Sequence, residues 1–117
     1  MKYTIHFLSL LLFVLAGTNA MAQKGSSAKT ETFKVYGNCN MCKKTIEGAL
    51  LKKDGVQSKS WDKTTKMLTV TYNSSQISLA QIKQKIADVG YDTDDVKAKD
   101  EVYEKLSPCC HYTRPGK

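Results

Sequence analysis

The sequence predicts an α+β fold in the order strand, helix, strand, strand, helix, strand. This is the ferredoxin-like βαββαβ sandwich, a four-stranded antiparallel sheet with two helices on one face. Three observations carry the prediction. Residues 30–36 and 67–72 alternate in the manner of half-buried strands. Two further segments, beginning near Met41 and Leu79, repeat apolar residues at helical spacing. Asp54-Gly55 and Gly90 stand where those helices must stop.

Residues 1–22 read as a cleaved secretory signal peptide rather than as fold. Lys2 supplies an early positive charge, Ile5 to Ala16 is apolar apart from His6 and Ser9, and Ala20-Met21-Ala22 has the small-x-small form of a cleavage site. The apolar run falls short of the roughly 20 residues that span a bilayer, so no stable membrane insertion is expected. The expected location is the periplasm or the medium. Cleavage would leave 95 of the 117 residues, with seventeen basic less eleven acidic residues giving +6, enough for one small domain. Residues 23–29 are a polar lead-in.

In the first strand Glu31, Phe33 and Val35 share one side, and Thr32, Lys34 and Tyr36 the other. A helix from about Met41 to Lys53 follows, with Gly55 as its left-handed cap. Val56 to Asp62 and Met67 to Tyr72 form two strands around the polar turn Lys63-Thr64-Thr65-Lys66. The first of them has edge character, since Lys59 shares the face of Trp61. Ser78 to Gln81 has the form of a capping box, Ile77 and Ile82 that of a hydrophobic staple, and Leu79, Ile82, Ile86 and Val89 make a core stripe. A thin, acidic last strand is expected over Tyr91 to Ala98, and a short helix over Asp100 to Leu106.

The chemistry concentrates at Gly37-Asn38-Cys39-Asn40-Met41-Cys42-Lys43-Lys44. Strand gives way to helix there, which sets Cys39 in a loop and Cys42 in the first helical turn. Free backbone N–H groups and the positive end of the helix dipole favour thiolate over thiol. Two thiolates on one loop suit Cu(I), Zn(II) or Hg(II), not Mg(II) or Ca(II). Lysines crowd the first half, from Lys43 to Lys66, and acids the second, from Asp92 to Glu104. The aromatic-interleaved basic ribbon of a nucleic-acid binder is absent. So are a Ser-His-Asp set, a paired-carboxylate site and a phosphate-binding glycine loop.

Gly-x-Cys-x-x-Cys after a first strand, the Asp54-Gly55-Val56 helix exit, Leu68-Thr69-Val70-Thr71-Tyr72 and Gly90-Tyr91 together resemble the heavy-metal-associated domain over residues 30–98. That family includes copper chaperones, modules of copper-transporting ATPases and the periplasmic mercury-binding protein. The resemblance implies a non-enzymatic protein that holds Cu(I), or a similarly soft ion, on Cys39 and Cys42. It further implies transfer by ligand exchange with a metal-transporting or metal-accepting protein. Tyr91 falls where the family places a residue near the metal loop. It either shields the site or closes the core. One departure stands out: relatives commonly carry a methionine two residues before the first cysteine, and here Gly37 takes that place, which predicts a looser loop.

The tail, residues 99–117, lies outside that resemblance. Ser107-Pro108-Cys109-Cys110-His111 is a soft-metal cluster by composition. A last strand would carry the chain roughly 20 Å from the thiol loop. The short helix returns roughly 10 Å and the next residues about 7 Å more, so the tail just reaches. Cys109, Cys110 and His111 are therefore candidate ligands that close the Cys39 and Cys42 site, which would then also admit Zn(II). Pairing of the four cysteines as disulfides is the competing expectation. Two other functions fit the thiols: mercury capture, and thiol-disulfide exchange. The second lacks a proline that could face the pair from a strand start, since only Pro108 and Pro115 occur. An interaction module built on a structural disulfide is the remaining alternative.

Overall fold

The computed structural model describes residues 27–116. The expected signal peptide and most of the lead-in lie outside the described residues. Among the described residues the sheet has three antiparallel strands, β1 (Ala28–Lys34), β2 (Val56–Trp61) and β3 (Met67–Asn73), in the order β1-β3-β2. Three α-helices accompany it: α1 (Asn40–Gly48), α2 (Leu79–Asp88) and α3 (Asp100–Glu104). Among the described residues no helix is long and apolar enough to cross a membrane.

Alternation decides which face is wet. Thr30 faces Thr71 with hydroxyls 2.8 Å apart, and Thr32 faces Thr69 at 3.3 Å, a threonine ladder on the open side. Phe33, Leu68, Val70 and Tyr72 turn the other way and share one core with Ile46 and Leu50 from the first helical region and Ile82 and Ile86 of α2. β2 is an edge, as its lysine suggests: the Lys59 ammonium bends to the Leu50 carbonyl while Trp61 is fully buried. The start of α2 is reciprocal, with the Ser78 N–H donating to Gln81 Oε1 at 2.9 Å and the Gln81 N–H to Ser78 Oγ at 3.1 Å.

Two expected elements differ. α1 stops at Gly48, five residues before Lys53. Glycine adds no side-chain contact and disfavours helix, and past it the chain turns extended at Leu51 before a 3-10 turn over Lys52–Asp54. Gly55, at φ 108°, caps that turn and not the α-helix. The fourth strand is reduced to a single antiparallel bridge between Val35 and Thr93. The Thr93 N–H donates to Val96 O at 2.8 Å, and the Ala98 N–H returns to Asp92 Oδ1 at 2.7 Å. Residues 92–98 thus close into a loop: Thr93 and Val96 bond each other, and the buried Asp92 carboxylate takes the Ala98 N–H.

Candidate metal centre

Cys39 is the N-cap of α1, and its sulfur accepts the Cys42 N–H at 3.4 Å. Cys42, one turn in, is fully buried; its sulfur lies 3.2 Å from Asn38 Oδ1 and accepts the Asn38 N–H at 3.5 Å. The unpaired donors of a helix start therefore point at sulfur, as the loop-to-helix junction requires. Below them sits Gly37. A Cβ at that position would stand 2.9 Å from Trp61 Cζ2 and 3.3 Å from Cys42 Cβ. The Trp61 ring fills the room a side chain at 37 would take, and its Nε1–H donates to Val35 O at 3.0 Å. The loop is therefore buttressed rather than loosened, contrary to the expectation from glycine alone.

The tail folds back to this loop. A 3-10 turn over Pro108–Cys110 puts the Cys110 sulfur 3.5 Å from that of Cys39, which lies 3.0 Å from that of Cys42. All three sulfurs fall within 4.8 Å of one another. Every cysteine is a free thiol. Cys109 is exposed at the rim, its sulfur 3.8 Å from Met41 Sδ and 3.8 Å from the Cys110 sulfur. His111 is turned elsewhere: its Nε2 meets the Glu104 carbonyl at 3.3 Å and its ring lies against Tyr103. The structure thus joins Cys110 to Cys39 and Cys42, keeps Cys109 one step out, and does not bring in His111.

Two residues that sequence reasoning missed hold the tail. The Tyr112 hydroxyl donates to Gly90 O at 2.8 Å and accepts the Asp92 N–H at 2.9 Å, and its ring stacks on Tyr91. Arg114 forks onto Asp92 with two N–H bonds of 2.8 and 2.9 Å and reaches Asp100 and the Ala98 carbonyl, both at 2.6 Å. The available signal was composition: Arg114 is the one arginine among eighteen basic residues, and planar bidentate pairing is what lysine cannot do.

Charge enters the cluster unevenly. Burial opposes ionisation of Cys39, but the thiol and N–H of Cys42, the Cys110 thiol and the Met41 N–H together hold it below the ordinary thiol value. At Cys110 burial comes first and the neighbouring sulfurs add to it, pushing the thiol up to about 12 against a lowering contribution from the Tyr91 hydroxyl. Tyr91 is wholly buried, and its hydroxyl has no nitrogen or oxygen partner. It faces Cys42 and Cys110 instead, and burial first, then those thiols, raise its ionisation far above the ordinary value. An O–H that faces sulfur and has no oxygen or nitrogen acceptor is bonded more strongly by a thiolate than by a thiol.

With metal–sulfur bonds of about 2.3 Å, three sulfurs around one ion lie about 4.0 Å apart. The observed spacings are near that, the 3.0 Å pair opening as its hydrogen bond gives way to metal. Cys39, Cys42 and Cys110 thus offer a three-thiol set that a soft ion such as Cu(I), Zn(II) or Hg(II) would accept.

The sequence profile of the heavy-metal-associated domain matches residues 32–92. A zinc-transporting ATPase of Synechocystis is 41% identical over 69 residues, 58% of this chain but 10% of the transporter, so the chain spans about a tenth of that protein. The copper chaperone CopZ of Staphylococcus haemolyticus is 36% identical over 55 residues, 47% of this chain and 81% of the chaperone. Among solved structures, a CopZ metallochaperone aligns at TM-score 0.53 and 35% identity, over 56% of this chain and 98% of its own. Oxidized MerP from Ralstonia metallidurans aligns at TM-score 0.54 and 28% identity, over 57% and 94%. Cys39 and Cys42 lie within the matched profile; Cys109 and Cys110 lie beyond it.

Proposed function

The chain belongs to the heavy-metal-associated domain family, and on that premise we propose that it is an exported, non-enzymatic carrier or scavenger of Cu(I). Cys39, Cys42 and the tail thiol Cys110 hold the ion. The observation that carries this reading is the meeting of three sulfurs beneath a tyrosine hydroxyl that has no oxygen or nitrogen partner. Residues 1–22 have the pattern of an export signal. The cargo would pass to a metal-transporting or metal-accepting protein by exchange of thiolates, one sulfur at a time.

Hg(II) shares the softness of Cu(I) and is the second reading, favoured by the same three thiols. A titration of the reduced protein under anaerobic conditions, with Cu(I), Zn(II) and Hg(II) each set against a competing chelator, separates these cargoes. The expected result is one tightly held Cu(I) whose affinity falls by more than about 100-fold in Cys39→Ser/Cys42→Ser, beyond what loss of an outer partner costs. Zn(II) is expected to be outcompeted. Tight Zn(II) with weak Cu(I) would overturn the copper assignment, and catalytic turnover of a disulfide substrate would overturn the non-enzymatic one.

A further inference from the structure

Cys109 and Met41 are not used by the three-sulfur site, yet they meet at its rim. The Cys109 sulfur is 3.8 Å from the Met41 Sδ, and Met41 is half exposed, one of two large apolar side chains that the described residues leave so open. Met41 sits between the two loop cysteines in sequence, so its backbone is fixed by α1. Cys109 is fixed by the Pro108–Cys110 turn. Neither side chain has a packing reason to meet the other in solvent.

The geometry points to a second soft-metal position, in which Cys109 and Met41 hold an outer Cu(I) and the Cys110 thiolate bridges it to the inner ion. The spacings are those of coordination. The Cys110 sulfur stands 3.5 Å from Cys39 on the inner side and 3.8 Å from Cys109 on the outer side. Three sulfurs about one ion, with bonds of about 2.3 Å, require about 4.0 Å between them. A thiolate has lone pairs for two metals; a thioether donates one pair and adds no charge, and both prefer Cu(I). Charge also favours the pairing. Four thiolates and two Cu(I) carry the same net −2 as three thiolates and one Cu(I), so the second ion adds no burden to the site. The inner position is the dry one and the outer the wet one, so this pair is where an ion would first be met and last be released.

This inference rests on Cys110 being an inner ligand, and the experiment separates the two. The full mature chain, reduced and anaerobic, is titrated with Cu(I) against a chelator as wild type, Cys109→Ser/Met41→Leu and Cys110→Ser. Sedimentation is run to verify that each species stays monomeric. Copper X-ray absorption is recorded on the wild type at two equivalents. The expected result is two ions per wild-type monomer with a short copper–copper vector. In Cys109→Ser/Met41→Leu one ion remains, at wild-type affinity for the first equivalent, and the vector is gone. Both substituted side chains are exposed, so the fold is retained. A wild type that takes one ion per monomer, a second ion shared between two chains, or a double variant that still takes two would each overturn the outer position. In the first of these cases, if Cys110→Ser still weakens the single ion, the three-thiol reading stands without it. If Cys110→Ser leaves the first ion's affinity unchanged, that reading falls and the bridged site with it.

Discussion

Trp61 occupies the space that a side chain at residue 37 would need, so glycine there is a packing requirement. Replacing Gly37 by alanine drives a methyl to 2.9 Å from a ring that is fully buried and tethered to Val35. The expected cost is about 1–3 kcal/mol, as for other overpacked cores. Urea denaturation of the metal-free protein measures it, and a loss below a few tenths would mean the ring has room to move. Tyr91→Phe behaves in the opposite way. In the metal-free protein it deletes a buried hydroxyl with no oxygen or nitrogen partner, so stability is expected to hold or rise. In the loaded protein it deletes the donor that faces the Cys42 and Cys110 sulfurs, and Cu(I) affinity is expected to fall about tenfold, the worth of one charge-assisted hydrogen bond. Stability lost without any change in affinity would make Tyr91 a core residue only.

The segment after α2 decides whether the tail can act. A regular strand would have carried the chain away from the thiol loop; instead the Ala98 N–H returns to the Asp92 carboxylate and closes residues 92–98 into a loop. Burial alone would raise the Asp92 ionisation. The Arg114 guanidinium, the Ala98 N–H and the charge of Arg114 outweigh it and hold the carboxyl below the usual range. Its folded value is depressed, so the pair's contribution to stability is complete above the unfolded carboxyl value near about 4. It is lost as pH falls through the lower folded value. Arg114→Met leaves a fully buried carboxylate unpaired and is expected to cost about 3–5 kcal/mol. Asp92→Asn in the same chain should recover part of that loss and flatten the acid limb, read by thermal melts from pH 3 to 7. A melt of Arg114→Met that matches wild type would remove the clasp from this account. At this scale the sequence was legible wherever a local rule acts: the capping box at Ser78, the alternation in β3, the edge lysine at 59. It misled where a distant partner wins. Nothing near Asp92 announces that Arg114 will claim it.

For the molecule as a whole, the charge asymmetry of the sequence is partly spent inside. Asp94 and Asp95 hold the buried Lys83 at 3.0 and 3.1 Å, and Asp92 and Asp100 hold Arg114, so four acids of the second half are paired to two buried cations, Asp92 within the core and the others at its surface. The two loop thiols and their soft chemistry were legible from spacing and context. The third thiol was legible only as a length of chain that could return, because its position depends on the tyrosine and arginine that pin it. The central claim is that the loop cysteine Cys39 and the tail cysteine Cys110, 71 residues apart, share one ion. The most direct measurement is the sulfur coordination number from copper X-ray absorption at one Cu(I) per reduced chain, for wild type and Cys110→Ser. Three sulfurs falling to two is the predicted result. Two sulfurs in both proteins, with identical spectra, would contradict it and leave an open two-thiol site.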